Sequence, residues 1–221
     1  MRCSDWPSAT ARDRSFWTSF LRSLRARGLG GVRLVISDAH EGLRSSIERV
    51  MIGSAWQRCR VHFMRNVLAK VPRGSAEMVA AAIRTVFAQP DAAAVADQLD
   101  SIAGKLGRQF PAVETMLREA AVDVCAFAAF PTAHWKKIWS TNPLERLNKE
   151  IKRRTNVVGI FPNEAGVLRL AGSILLEVHD EWQIAERRYL SEASMAKLYE
   201  TDNDGSNTKE VGAKTKELLA G

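Results

Sequence analysis

The run at residues 32–36 constrains the fold of this chain more than any other feature. Val32, Leu34, Val35 and Ile36 are apolar on both alternating faces and rich in β-branched side chains. Such a run is too short for a helix and fits a strand buried inside a sheet. It gives way at once to Ser37-Asp38. Ahead of it, Phe16, Trp17, Phe20, Leu21 and Leu24 recur at helical spacing, and the glycines from Gly28 to Gly31 end that helix. After it come an expected helix over 41–51, a second short strand over 56–61 and a helix over 62–70. Helix, strand, helix, strand, helix is the grammar of an α/β layer.

From residue 72 to about 132 no strand pattern survives. The stretch is rich in alanine, and breaks at Gln89-Pro90 and Phe110-Pro111 divide it into three expected helices. The pattern resumes with a basic segment over 133–154, a break at Phe161-Pro162 and a long helix over 164–189. Residues 1–13 carry neither period and are expected to be an irregular lead-in. Residues 199–221 are polar and are expected not to fold. The expected fold class is therefore α/β and mostly helical overall: an α/β layer over 14–71, a helical insertion over 72–132, and a return over 133–198.

The chain has 221 residues, 46% of them apolar, enough to bury a core. A net charge of +7 favours an anionic partner. No apolar stretch is long enough for a membrane helix and the first residues lack a signal-peptide core, so no membrane partner and a cytoplasmic location are expected. Cys3, Cys59 and Cys125 are odd in number and scattered, which is not a disulfide framework.

The basic surplus concentrates over 134–154, where Lys136, Lys137, Arg146, Lys149, Lys152, Arg153 and Arg154 face only Glu145 and Glu150. Charge runs are commonly solvated faces. The alternative is a phosphate-binding helix, with Trp135 and Trp139 among the lysines offering base stacking. Asn142-Pro143-Leu144-Glu145 has the form of a helix start, with Asn142 as cap, Pro143 at the first helical position and Glu145 reaching back to the cap. Glu145 also shares a polar face with Asn148, Lys149 and Lys152, apart from an apolar stripe of Leu144, Leu147 and Ile151. Asp38 stands where α/β sheets place ligands, beyond the carboxyl end of a strand, and is equally a turn former. Its neighbours His40 and Glu41 could add polar character there. Cys59 and His62 have the spacing of half a zinc site, but only Cys125 and His134 could complete it, at irregular spacing. A buried thiol beside a helix-start histidine is expected instead, with no zinc.

Three blocks occur in order: Asp38-Ala39-His40-Glu41-Gly42-Leu43, then Trp56-Gln57-Arg58-Cys59-Arg60-Val61-His62, then the segment running from Ser140 through Asn142, Glu145 and Asn148 to Arg154. Together they resemble the Mutator-type transposases of bacterial insertion sequences over residues 14–198. The resemblance implies a ribonuclease-H-like catalytic domain interrupted by a helical insertion. It implies that Asp38 and Glu145 are the second and third carboxylates of an Asp-Asp-Glu triad, and that Gly42, Cys59, His62, Asn142 and Asn148 belong to the family signature. The implied cofactor is Mg²⁺, with Mn²⁺ able to replace it. Two such hard cations would flank an in-line displacement at phosphorus during DNA cleavage and strand transfer. The implied partners are the DNA of transposon ends and target, at the nucleoid, and further copies of the chain or intact transposase.

The chain departs from the family at its start. The first aspartate should lie on an apolar strand upstream of the first helix, and Asp5, between Cys3-Ser4 and Trp6-Pro7, has no strand pattern around it. The expectation is a fragment lacking that carboxylate and the family's N-terminal DNA-binding region, with little activity alone and an exposed sheet edge. The competing expectation is a non-catalytic remnant that binds DNA or transposase subunits and modulates transposition.

Overall fold

The structure, a computed structural model, describes residues 14–185 and 189–203. The expectations for residues 1–13 and 204–221 lie outside the described residues.

The amphipathic run forms α1 (Arg14–Ala26), closed by Gly28 at φ 99°, a left-handed value that glycine adopts without strain. The α/β layer follows as β1 (Leu34–Ser37), α2 (Glu41–Val50), β2 (Ala55–Arg58) and α3 (Arg60–Leu68). The strands are parallel, with Leu34 opposite Ala55 and Ser37 opposite Arg58, and α2 makes the crossover between them.

Two details correct the sequence reading. The second strand stops at Arg58, because Cys59 already caps α3. Leu34, Val35 and Ile36 are half-buried, not enclosed, since the sheet has two strands among the described residues. A small core of Leu21, Ile47, Val50 and Met51 closes one side of this layer.

The expected three helices are α4 (Arg73–Val86), α5 (Ala92–Gly107) and α6 (Pro111–Val124). Asp91 caps α5 by accepting from the Ala94 amide at 2.8 Å, and Pro111 opens α6, so both proline breaks act as read. These helices, α3, a 3-10 turn at Ala126–Ala129 and α7 (Thr132–Ile138) enclose the main core around Phe63 and Phe127. Trp135 and Trp139 belong to that core region. Their rings meet Phe127 edge-on at 5.1 and 5.7 Å, and the Trp135 indole donates to the Phe130 carbonyl. Buried Trp135 offers no platform for bases, which corrects the stacking expectation: spaced four residues apart, the two rings share the inward face of α7 and its end.

Gln57 joins the two layers. Fully buried on β2, its amide donates to the Val124 carbonyl at 2.7 Å and accepts from the Phe127 amide at 2.7 Å. It thereby satisfies backbone groups at the end of α6 that would otherwise be stranded.

The basic helix is α8 (Asn142–Val158), ended by Gly159 at φ 74°. The long helix is α9 (Glu164–Ile184), ending five residues before the expected boundary. Residues 192–203 form α10 (Glu192–Asn203), so helix extends into the segment expected to be unfolded. Along α8 and α9 few positions are enclosed: Thr155 and Ile174 are buried, while Leu144, Leu176, Trp182 and Ile184 are exposed, as is Ile160 between the two helices. The expected apolar stripe of α8 thus loses Leu144, and half-buried Leu147 and Ile151 remain. No helix among the described residues is long and apolar enough to cross a membrane.

Candidate metal centre and basic helix

Parallel pairing brings the ends of β1 and β2 to one edge. The Cys59 amide donates to the Ser37 carbonyl at 2.7 Å, extending the ladder by one bond. Asp38 therefore leaves β1 at the level where Cys59 leaves β2. Asp38 is exposed, and its Oδ1 accepts from the Ala39 amide at 2.7 Å. His40, read as a polar neighbour, instead caps α2: its Nδ1 accepts from the Leu43 amide at 3.1 Å. Gly42 lies in the first turn of α2.

The same edge receives the head of α8. The Arg60 amide donates to the Trp139 carbonyl at 3.0 Å, anchoring the end of α7 beside the start of α3. Two residues on, Thr141 lies against Cys59, with its amide nitrogen and hydroxyl 3.4 and 3.3 Å from the buried Sγ. The Thr141 hydroxyl also donates to Glu145 Oε1 at 3.0 Å. Glu145 Oε1 lies 3.5 Å from His62 Nε2, one turn into α3. Ligand atoms of Cys59, His62 and Glu145 all lie within 4.8 Å of one another.

These contacts revise the local reading of the helix start. Thr141, not Asn142, is the capping residue, and the Glu145 side chain turns to the Thr141 hydroxyl and His62 instead of closing a capping box. Its charge still lies in the first turn of α8, where the helix dipole favours an anion. The third donor beside Cys59 and His62 is Glu145; neither Cys125 nor His134 joins the group. Burial pushes the Cys125 thiol up to about 12, and burial lowers the pKa of His134 despite its hydrogen bond to the Ser194 backbone.

The expected phosphate-binding residues divide into two sets. Arg146, Lys149 and Lys152 are exposed and carry no ion pair among the described residues, as does Lys136 on α7. Asn142 and Asn148 are exposed on the same helix. Arg153 instead grips Glu150 with two bonds of 2.8 and 2.7 Å. Arg154 donates to Glu150 at 2.8 Å and to Glu177 of α9 at 2.6 Å. The hydrogen bonds from Arg153 and then Arg154 hold the Glu150 carboxyl down to about 2. Lys137 is spent on the Tyr189 carbonyl and ring.

The family model of the Mutator transposases matches residues 7–185. The chain is 48% identical over 181 residues to the transposase for insertion sequence element IS1081 of Mycobacterium tuberculosis, covering 82% of this chain and 43% of that protein. It is 40% identical over 179 residues to the transposase for insertion sequence element ISRM5 of Rhizobium meliloti, covering 81% and 45%. It is 34% identical over 177 residues to the transposase for IS256 in transposon Tn4001 of Staphylococcus aureus, covering 79% and 45%. The chain spans less than half the length of these relatives. A match over most of its residues leaves one conclusion: the chain belongs to the Mutator family of transposases.

Proposed function

We propose that this chain carries two carboxylates and a DNA-contacting helix of a Mg²⁺-dependent transposase whose α/β layer is ribonuclease-H-like and interrupted by α4–α6. What supports the reading is a single juxtaposition. Asp38 directly follows β1 at the sheet edge where contacts from Thr141 to Cys59 hold the head of α8, and Glu145 with it. The carboxyl edge of parallel strands is where α/β folds bind ligands.

The two side chains suit a hard cation. Among the described residues neither is paired with a lysine or arginine, unlike Glu150, and the ionisable neighbour of Glu145 is His62. Magnesium is commonly held by one or two carboxylates with water and substrate phosphate completing its shell. Bound there, it would supply charge stabilisation for displacement at phosphorus. The protein's part is positioning: Asp38 and Glu145 hold the cation, while Arg146, Lys149 and Lys152 set the strand in register along α8.

The DNA contact has a measurable signature. Replacing Arg146, Lys149 and Lys152 together by Ala is expected to flatten the log–log salt dependence of duplex binding by roughly one unit per residue. Replacing Arg153 and Arg154 together is expected to flatten it less, because both already neutralise Glu150 and Glu177. An unchanged slope in the first variant would remove α8 from the DNA interface.

A further inference from the structure

The donors gathered around Glu145 are not those of a magnesium site alone. Sulfur and imidazole nitrogen stand on one side of its carboxylate, and that set matches borderline-soft divalent cations. We propose that Cys59, His62 and Glu145 bind one divalent cation of the zinc class, and that its occupancy withdraws Glu145 from magnesium. The second half rests on the reading of Glu145 as a magnesium ligand; the first does not.

The geometry is close to what such an ion needs. Tetrahedral zinc bonds place neighbouring nitrogen, oxygen and sulfur ligands about 3.3–3.6 Å apart. His62 Nε2 and Glu145 Oε1 are already 3.5 Å apart, and all three ligand atoms fall within 4.8 Å. The backbone fixes the positions. Cys59 is tied to the end of β1 through its amide and accepts from the Phe63 amide at 3.0 Å, and His62 follows three residues later on the same face of α3.

The three side chains already share one polar network. The Thr141 hydroxyl bridges Sγ at 3.3 Å and Oε1 at 3.0 Å, and the Thr141 amide nitrogen stands 3.4 Å from the same sulfur. His62 Nδ1 is buried with no hydrogen-bond partner, so the ring's polar contact falls to Nε2. A dication between the three groups would meet a thiolate, a carboxylate and a neutral imidazole, balancing the charge. Thr141 would then act as an outer donor that orients both anionic ligands. His62 and Glu145 are partly exposed, leaving the fourth position to solvent, as in three-ligand zinc centres.

Cobalt is the probe, added to the purified chain and followed by absorption. The expected result is a thiolate-to-cobalt charge-transfer band with tetrahedral ligand-field bands, both erased by added zinc. Cys59→Ser should abolish the charge-transfer band. Because Cys59 is buried and its replacement could disturb folding, His62→Ala and Glu145→Gln at the partly exposed ligands supply the independent arm. Each should weaken cobalt binding about a hundredfold or more, with circular dichroism unchanged. Absence of the band, or a band that survives both of these variants, would overturn the site. For the competition, zinc should reduce Mn²⁺ binding to the unaltered chain and fail to do so after Cys59→Ser; Mn²⁺ binding indifferent to zinc would overturn that half. A failure of the magnesium reading shows separately, as Mn²⁺ binding unaffected by Asp38→Asn while the cobalt band stands.

Discussion

Glu145→Gln is expected to lower the Mn²⁺ affinity of this chain by about a hundredfold or more, while Glu150→Gln leaves it within a factor of about two. The two glutamates stand five residues apart on α8 with different surroundings. Glu145 faces Thr141 and His62 at the sheet edge, where among the described residues no guanidinium or ammonium is paired with it. Glu150 is consumed by Arg153 and Arg154 and is held ionised by them. The amide of glutamine keeps the size of Glu145 and removes the anionic ligand, so a hundredfold loss corresponds to about 2.7 kcal/mol. Water-proton relaxation during a Mn²⁺ titration measures it. Equal losses in both variants would point to diffuse attraction of the cation by surface charge.

Phe127→Ala is expected to destabilise the chain by about 3–5 kcal/mol, measured by urea unfolding at constant m-value. The ring is fully buried and touches Phe87, Trp135 and Trp139 with centroids 5.7, 5.1 and 5.7 Å away. Its removal leaves a cavity and forfeits three aromatic contacts worth about 0.5–1.5 kcal/mol each beyond area burial. Against a total stability on the order of 5–15 kcal/mol this is a large fraction. The effect reaches the sheet edge. Trp139 carries the carbonyl that accepts from Arg60, and its ring lies 3.9 Å from the Arg60 guanidinium, so loosening Phe127 loosens the anchor that presents α8. A loss below about 1 kcal/mol would mean that the core closes without this ring.

The helices were legible because an apolar face repeats every three to four residues and the breaks carry Gly or Pro; α1, α5 and α6 follow those signals closely. The strands were legible in place but not in burial, since an apolar run reports what a sheet could cover, not how many neighbours each strand has. Gln57 gave no signal: a polar residue on a short strand reads as a solvent-facing position until the end of α6 arrives to use its amide. The candidate site was half legible. Asp38 and Glu145 were singled out by position and resemblance, but the meeting of Glu145 with Cys59 and His62 joins positions more than eighty residues apart, which no local pattern encodes. The basic run was misweighted for a related reason. Composition counts every arginine alike, whereas Arg153 and Arg154 spend their charge on Glu150 and Glu177.

On the proposed function, Asp38 and Glu145 hold one cation beside the DNA backbone that α8 contacts. Iron-mediated cleavage of bound DNA tests it directly: Fe²⁺ replaces magnesium, ascorbate and peroxide generate hydroxyl radicals at the bound ion, and nearby sugars are cut. A confined set of cuts is expected on both strands of DNA held by the chain, lost in Asp38→Asn and in Glu145→Gln under conditions where each variant still binds DNA. Cuts that persist in the doubly substituted protein, or their absence from DNA shown to be bound by the unaltered chain, would contradict it.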